Sequence, residues 1–166
     1  MKEVILYRHA EAEPAGEDRP DQERRLTAEG RETARQVGFL LRHHQHVPQR
    51  VLCSDAHRAV ETAELSAETS DATAAVERVP QLYTGSAEEY IALFADQPQE
   101  LDRVMIVGHN PIVAEVLERL TGRRRRVRAG DAAVLRFDVP DWITIAVELG
   151  ATLLAVLPDE PPRAQR

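Results

Sequence analysis

With 166 residues, 43% of them hydrophobic, the chain can bury one sizeable core and leaves little room for a second. A formal net charge of −7 excludes a protein that grips polyanions over its whole surface, so any phosphate chemistry has to come from a local cluster of arginines. The lone cysteine, Cys53, excludes an internal disulfide framework and fits a reducing compartment; no apolar run approaches the roughly 20 residues of a membrane span, and acidic Glu3 beside the first strand argues against a signal peptide, so a cytoplasmic protein is expected.

Strand and helix periodicities alternate along the chain. Val4 to Tyr7 is a short apolar, partly β-branched run that stops at Arg8-His9, the pattern of a buried strand ending in polar side chains. Glu11 to Arg25, rich in charge and proline, is expected as a loop over that strand end. Thr27 suits an N-cap, and Ala34, Val37, Leu40 and Leu41 give a helix face that runs out near His43 to His46, ahead of Pro48. Val51-Leu52-Cys53 reads as a second strand, 56–69 as a helix, Val76 to Val79 as a weak third strand, and Glu88 to Phe94 as a helix stopped by Asp96-Gln97-Pro98.

Arg103 to Val107, apolar on both faces, has the composition of a central parallel strand. Gly108-His109-Asn110-Pro111 turns it into a helix reaching Leu120, with Gly122 just past the end. Ala132 to Val139 and Trp142 to Leu149, joined at Pro140-Asp141, are expected as an antiparallel pair, with Trp142 packing at a strand start. The fold class that follows is α/β: a three-layer sandwich with a mainly parallel central sheet, an antiparallel edge and helices on both faces. It is expected to occupy residues 1–158 as one domain without internal repeats, leaving 159–166 as a frayed tail.

Polar residues follow three of these strands: Arg8-His9, Ser54 with Arg58 one helical turn on, and His109-Asn110. Right-handed crossovers bring such strand ends side by side, at the edge of the sheet where ligands sit. Two guanidiniums there neutralise a phosphoryl group, and one neutral imidazole attacks phosphorus. A second imidazole, if protonated, donates to a phosphoryl oxygen as charge builds. The helix after Asn110 is expected to add backbone N–H groups and the positive end of its dipole.

Leu6-Tyr7-Arg8-His9, Val51-Leu52-Cys53-Ser54 with Arg58-Ala59 and Thr62-Ala63, and Val107-Gly108-His109-Asn110-Pro111 together resemble the histidine phosphatase superfamily, also called phosphoglycerate mutase-like. The SixA-like phosphohistidine phosphatases match best in length and in the Gly-His-Asn-Pro form, and the likeness extends to Leu26-Thr27 with Gly30. It implies that His9 is transiently phosphorylated, that Arg8 and Arg58 hold the phosphoryl group, that His109 assists, and that no metal or other cofactor takes part. Asn110 and, from the loop expected to overhang the site, Arg25 or its neighbour Arg24 are further candidates for substrate contact. The chain departs from its relatives at Ala10, where Gly is usual, and at Ser54-Asp55, where many have Ser-Pro; His57 precedes Arg58.

The larger departure concerns the proton donor. Relatives commonly carry Glu shortly after the third strand, whereas Pro80-Gln81-Leu82-Tyr83-Thr84 puts Gln81 and Thr84 at those positions; Glu88 and Glu89 have the spacing of a solvated helix face. An imidazole leaving group needs less acid assistance than an alkoxide, so the absence favours phosphohistidine or another activated phosphoramidate over ordinary sugar phosphates, and the expected substrate is phosphohistidine in proteins. Two alternatives stay open: a phosphatase of small phosphate esters, and a non-catalytic module that binds phosphate or phosphoproteins. A mutase would need more length to enclose its substrate.

Other residues have plain readings. His43, His44 and His46 face solvent at a helix end rather than forming a metal site, and Cys53 is a core residue. Arg123 to Arg126 with Arg128 form a basic loop in an acidic chain; it steers acidic partners at most, since no aromatic residues accompany it as nucleic-acid binding would require. Neither nucleic acid nor a membrane is expected as a partner.

Overall fold

Side chains that alternate between two buried faces of the strands create the layers. The structure, a computed structural model, describes residues 1–158. In β1 (Lys2–Arg8), Val4 and Leu6 face one side of the sheet while Ile5 and Tyr7 face the other. The strands β2 (Arg50–Cys53), β3 (Val76–Arg78), β4 (Arg103–Gly108), β5 (Ala132–Phe137) and β6 (Thr152–Leu157) complete a sheet of order β3-β2-β4-β1-β5-β6. The first four positions are parallel, and β5 and β6 add antiparallel neighbours beyond β1.

Helices α1 (Ala28–His43) and α2 (His57–Thr69) cover the Ile5 and Tyr7 face with Val37, Leu41, Ala59 and Ala63. The opposite face is covered by α3 (Gln81–Thr84), α4 (Ala87–Ala95), α5 (Ile112–Thr121) and α6 (Trp142–Val147). The α/β sandwich expected from the sequence is therefore present, with its antiparallel edge. Among the described residues no helix is long and apolar enough to cross a membrane.

The predicted caps hold: Thr27 accepts the Gly30 N–H at 3.0 Å, and Gly122 ends α5 at φ 68°. The expected strand Trp142 to Leu149 does not exist. Its β-branched composition suggests period 2, but Asp141 accepts the Thr144 N–H at 2.9 Å and starts a helix. Trp142 and Ile145, three apart, are then buried, while Ile143 and Val147 lie exposed. Trp142 packs as expected, though at a helix start, and its indole N–H donates to the Leu101 carbonyl at 2.8 Å. The antiparallel partner of β5 is instead β6, whose outer face is partly exposed. The α3 turn went unpredicted because four residues carry no periodic signal. The frayed tail expected at 159–166 lies outside the described residues.

Gly108 is among the positions where the fold requires glycine for close approach. A Cβ on Gly108 would overlap the Tyr90 hydroxyl, which donates to the Leu82 carbonyl at 2.6 Å and so ties α3 to α4. Gly108→Ala is expected to cost about 1–3 kcal/mol in urea unfolding, the usual range for overpacking, and unchanged stability would show that Tyr90 yields freely.

Candidate active site

Strand register assembles the site. Because Arg8 pairs with Gly108 and Cys53 with Val107, the ends of β1, β4 and β2 are level. The ladder continues one residue further, with His9 N–H donating to Gly108 O and Ser54 N–H to Val107 O, both at 3.0 Å. His9, His109 and Ser54 therefore emerge side by side. Helix α2 starts almost at once, placing Arg58 in its first turn with only 5% of its surface exposed. Thr62 Oγ1 accepts the Ala10 N–H at 3.0 Å and donates to Arg58 O at 2.7 Å, which fastens that turn to the segment carrying His9.

His9, Arg58 and His109 line a crevice of about 460 Å³ with Arg8 and Asn110. His9 Nδ1 lies 2.7 Å from the Ala10 carbonyl, so Nδ1 carries the proton and donates it there. Nε2 is left with its lone pair, accepting from Arg58 Nε at 3.3 Å. His109 Nδ1 faces Arg58 Nη2 at 3.5 Å, and its Nε2 meets Ser54 Oγ at 2.8 Å. The two rings are 5.1 Å apart between centroids. Burial, opposed at His9 by the bond to Ala10 and reinforced by the guanidiniums, pushes His9 down to about 4. Burial, then His9 and Arg58, push His109 down to about 3. Both imidazoles are neutral at physiological pH. Arg8 donates from Nη1 to Val127 O at 3.0 Å, while its Nε is buried without a hydrogen-bond partner among the described residues.

The loop after β1 contributes a carboxylate that sequence reasoning missed. Its 3-10 turn, Asp21–Glu23, brings Asp21 to Arg58: the backbone oxygen accepts from Nη1 at 2.7 Å and Oδ2 from Nη2 at 2.9 Å. Tyr83 on α3 donates its hydroxyl to the same Oδ2 at 2.7 Å, and Arg24 reaches Oδ1 at 2.9 Å. The Tyr83 hydroxyl, then Arg24, hold Asp21 well below the usual carboxylate range. The same bond to Asp21 raises the Tyr83 phenol. No sequence signal marked Asp21 among the loop's many acids, because a single irregular turn selects it.

Arg24, not Arg25, lines the crevice. The backbone is extended here, so neighbouring side chains point apart, and Arg25 is exposed while Leu26 is buried beneath it. Asn110 is turned toward the protein, with Nδ2 donating to Val127 O at 2.9 Å and Oδ1 accepting the Ala114 N–H at 3.3 Å. The Val113 N–H goes to His109 O, so these two amides of the first turn of α5 are engaged within the protein and not offered to an anion as expected. Thr84 lines the crevice whereas Gln81 is exposed outside it. Glu89 closes a capping box with Ser86, and Glu88 pairs with Arg119 on the surface.

The sequence profile of the Histidine phosphatase superfamily (branch 1) matches residues 4–89, more than half of the chain. The chain belongs to the histidine phosphatase superfamily. Two solved structures of SixA-type chains agree over nearly the full length of this histidine phosphatase. The Nakamurella multipartitia protein described as phosphohistidine phosphatase SixA is 28% identical with a TM-score of 0.81, covering 98% of this chain and 97% of its own. Its counterpart from Agrobacterium tumefaciens is 25% identical with a TM-score of 0.81, covering 94% and 97%. The protein histidine phosphatase SixA complexed with tungstate shares the fold at 22% identity and a TM-score of 0.78, covering 93% and 95%. No curated protein sequence matches the chain.

This histidine phosphatase has, among the described residues, no group of three or more His, Cys, Asp or Glu side chains placed to hold a metal ion. His43 and His44 are exposed, while His46, expected in solvent, is bound to Glu3 Oε2 at 3.2 Å. Cys53 is fully buried and its thiol is pushed up to about 12, chiefly by burial, which makes it unreactive.

Three expectations follow from the charges. NMR titration should find His9 and His109 neutral from pH 7 to 5, with midpoints near 4 and 3; midpoints near 6.5 would contradict the packing. Since both histidines titrate lower in the folded chain than the ordinary 6.5, stability should fall as pH drops from about 6.5 toward 4. Asp21→Asn removes a negative charge from an anion crevice and should tighten competitive inhibition by inorganic phosphate about threefold to tenfold. Weaker inhibition would mean that Asp21 chiefly positions Arg58.

Proposed function

We propose that the chain hydrolyses phosphohistidine in proteins through a phosphohistidine formed on His9, without a metal ion. The observation that carries this reading is the single tautomer of His9: Nδ1–H held by the Ala10 carbonyl, which leaves the Nε2 lone pair facing the Arg58 guanidinium in the crevice. Burial keeps that ring neutral and therefore nucleophilic.

A phosphoryl group entering the crevice exchanges donors with the protein. Arg58 turns its N–H groups from Asp21 and the imidazoles to phosphoryl oxygens, and Arg8 gains an acceptor for its unpaired Nε. Neutral His109 keeps one ring N–H, which can donate to a third oxygen. Nε2 of His9 attacks phosphorus in line as the bond to the leaving nitrogen breaks. Water attacks the phospho-His9 in the second step, releases phosphate and returns Nε2 to its free state.

The acids of the crevice restrict the leaving group. Asp21 is held ionised, the Tyr83 phenol is raised, and both imidazoles are neutral, so none of the four carries a readily lost proton. An alkoxide has to be protonated as it departs, whereas a phosphorylated imidazole takes its proton on the far nitrogen from water beforehand. This supports phosphohistidine over alkyl phosphates. The name of the similar Nakamurella multipartitia protein, phosphohistidine phosphatase, points the same way.

The test is a metal-free assay of the protein and its His9→Ala variant on a phosphohistidine peptide and a phosphoserine peptide, with mass spectrometry of the quenched enzyme. Turnover of phosphohistidine, a phosphate trapped on His9 and a loss of at least about 1000-fold in the variant are expected. Undiminished activity of His9→Ala would end the mechanism, and preference for phosphoserine would end the substrate assignment.

A further inference from the structure

A second cavity opens beside the crevice. It measures about 430 Å³, shares Arg8 and Asn110 with the crevice and is otherwise walled chiefly by Arg124, Arg125 and Arg126. The loop bearing these arginines is pinned and not a loose basic tail. Val127, 6% exposed, sits beneath it, and its carbonyl accepts from both Arg8 Nη1 at 3.0 Å and Asn110 Nδ2 at 2.9 Å. Two side chains of the crevice thus hold the basic run at the crevice rim.

Among the described residues the charge of Arg124 to Arg126 is uncompensated. Arg128 is paired with Asp131, but Arg124, Arg125 and Arg126 have no carboxylate within ion-pair reach among the described residues. Arg126 is close enough to Arg8 to help lower its proton affinity, behind the larger effect of burial. Three exposed guanidiniums therefore face one groove in a chain of net charge −7. Concentrated positive charge in a concave surface raises the local concentration of anionic ligands and speeds their capture.

We propose that this groove is a second anion subsite, which receives Asp and Glu side chains flanking the phosphohistidine of an acidic substrate protein. The proposal rests on the reading of the crevice given above and extends it from the phosphorylated residue to its surroundings. A substrate whose phosphoryl group occupies the crevice between Arg8 and Arg58 has its adjoining chain over the shared wall at Arg8 and Asn110, which leads into the groove. Successive arginines along a surface groove suit several carboxylates on an extended polypeptide better than a single small ester. Contacts of this kind at a rim act mainly on capture and on its salt dependence.

The experiment compares kcat/KM for three substrates: free phosphohistidine, a phosphohistidine peptide with neutral flanks and the same peptide with Asp and Glu flanks. Each is assayed with the full-length protein and with Arg124→Ala/Arg125→Ala, whose folding is checked by thermal unfolding. The unaltered protein should prefer the acidic peptide over the neutral one by about tenfold at low salt, through KM, and lose that preference in high salt. The double variant should lose the preference while retaining turnover of free phosphohistidine within about twofold. Turnover of all three substrates without preference for the acidic peptide would overturn the subsite and leave the catalytic reading intact. A preference that survives in the double variant would also overturn it. Failure of the unaltered protein to turn over any of the three would overturn the catalytic reading and the subsite with it.

Discussion

The parallel pairing of β4 with both β1 and β2 is the constraint on which the site depends. It levels three strand ends, and because the backbone ladder runs one residue further, His9 and Ser54 are placed on either side of His109 by main-chain hydrogen bonds and not by side-chain packing alone. A slip of one residue in β1 would turn its core-facing residues to the opposite face and withdraw His9 from its neighbours. The apolar alternation of Val4, Ile5, Leu6 and Tyr7, packed into two different cores, is what forbids that slip. Burial far from the chemistry thus fixes the chemistry's geometry.

Within that frame the electrostatics are set by a shortage of water. Two imidazoles next to guanidiniums cannot hold protons, so the cluster places neutral nitrogen bases among permanent cations. Asp21 is the local counterion: exposed for nearly half of its side chain, it accepts from Arg58, Arg24 and Tyr83. Its carboxylate occupies donors of Arg58 that a phosphoryl oxygen would need, so binding a dianion is an exchange of one anion for another. Such an exchange lowers the cost of leaving Arg58 buried and unpaired between turnovers. The partner is exposed and on an irregular loop, where displacement disturbs little of the core.

Much of this was legible in the sequence because it is periodic or local. The strands that carry the site are strongly apolar and short, the caps at Thr27 and Gly122 follow from single residues, and Arg8, His9, Arg58 and His109 follow strand ends at spacings that topology brings together. What stayed hidden depends on irregular backbone. Asp21 and Tyr83 enter the crevice through a 3-10 turn and a four-residue helix, neither of which has a repeating pattern. Arg25 was misplaced by one residue for the same reason, since only the extended backbone decides which of two adjacent arginines turns inward. The strand expected at Trp142 failed where β-branched residues were outweighed by one capping carboxylate, Asp141.

On the proposed reading, the lack of a protonated acid among the described residues of the crevice and the basic rim share one physical consequence. An active site that protonates its leaving group can act on many esters and must then discriminate by enclosing the alcohol. A site that lacks such a group is restricted by the leaving group itself, because only a nitrogen already protonated from water departs easily. Enclosure is then unnecessary, and the crevice here is walled on its loop side by exposed residues such as Asp21 and Thr84. Any further selectivity has to come from contacts outside the reacting atoms, where long-range charge is effective and tight packing is not required. Arg124 to Arg126 supply that charge next to Arg8, on a loop whose position the crevice residues themselves maintain.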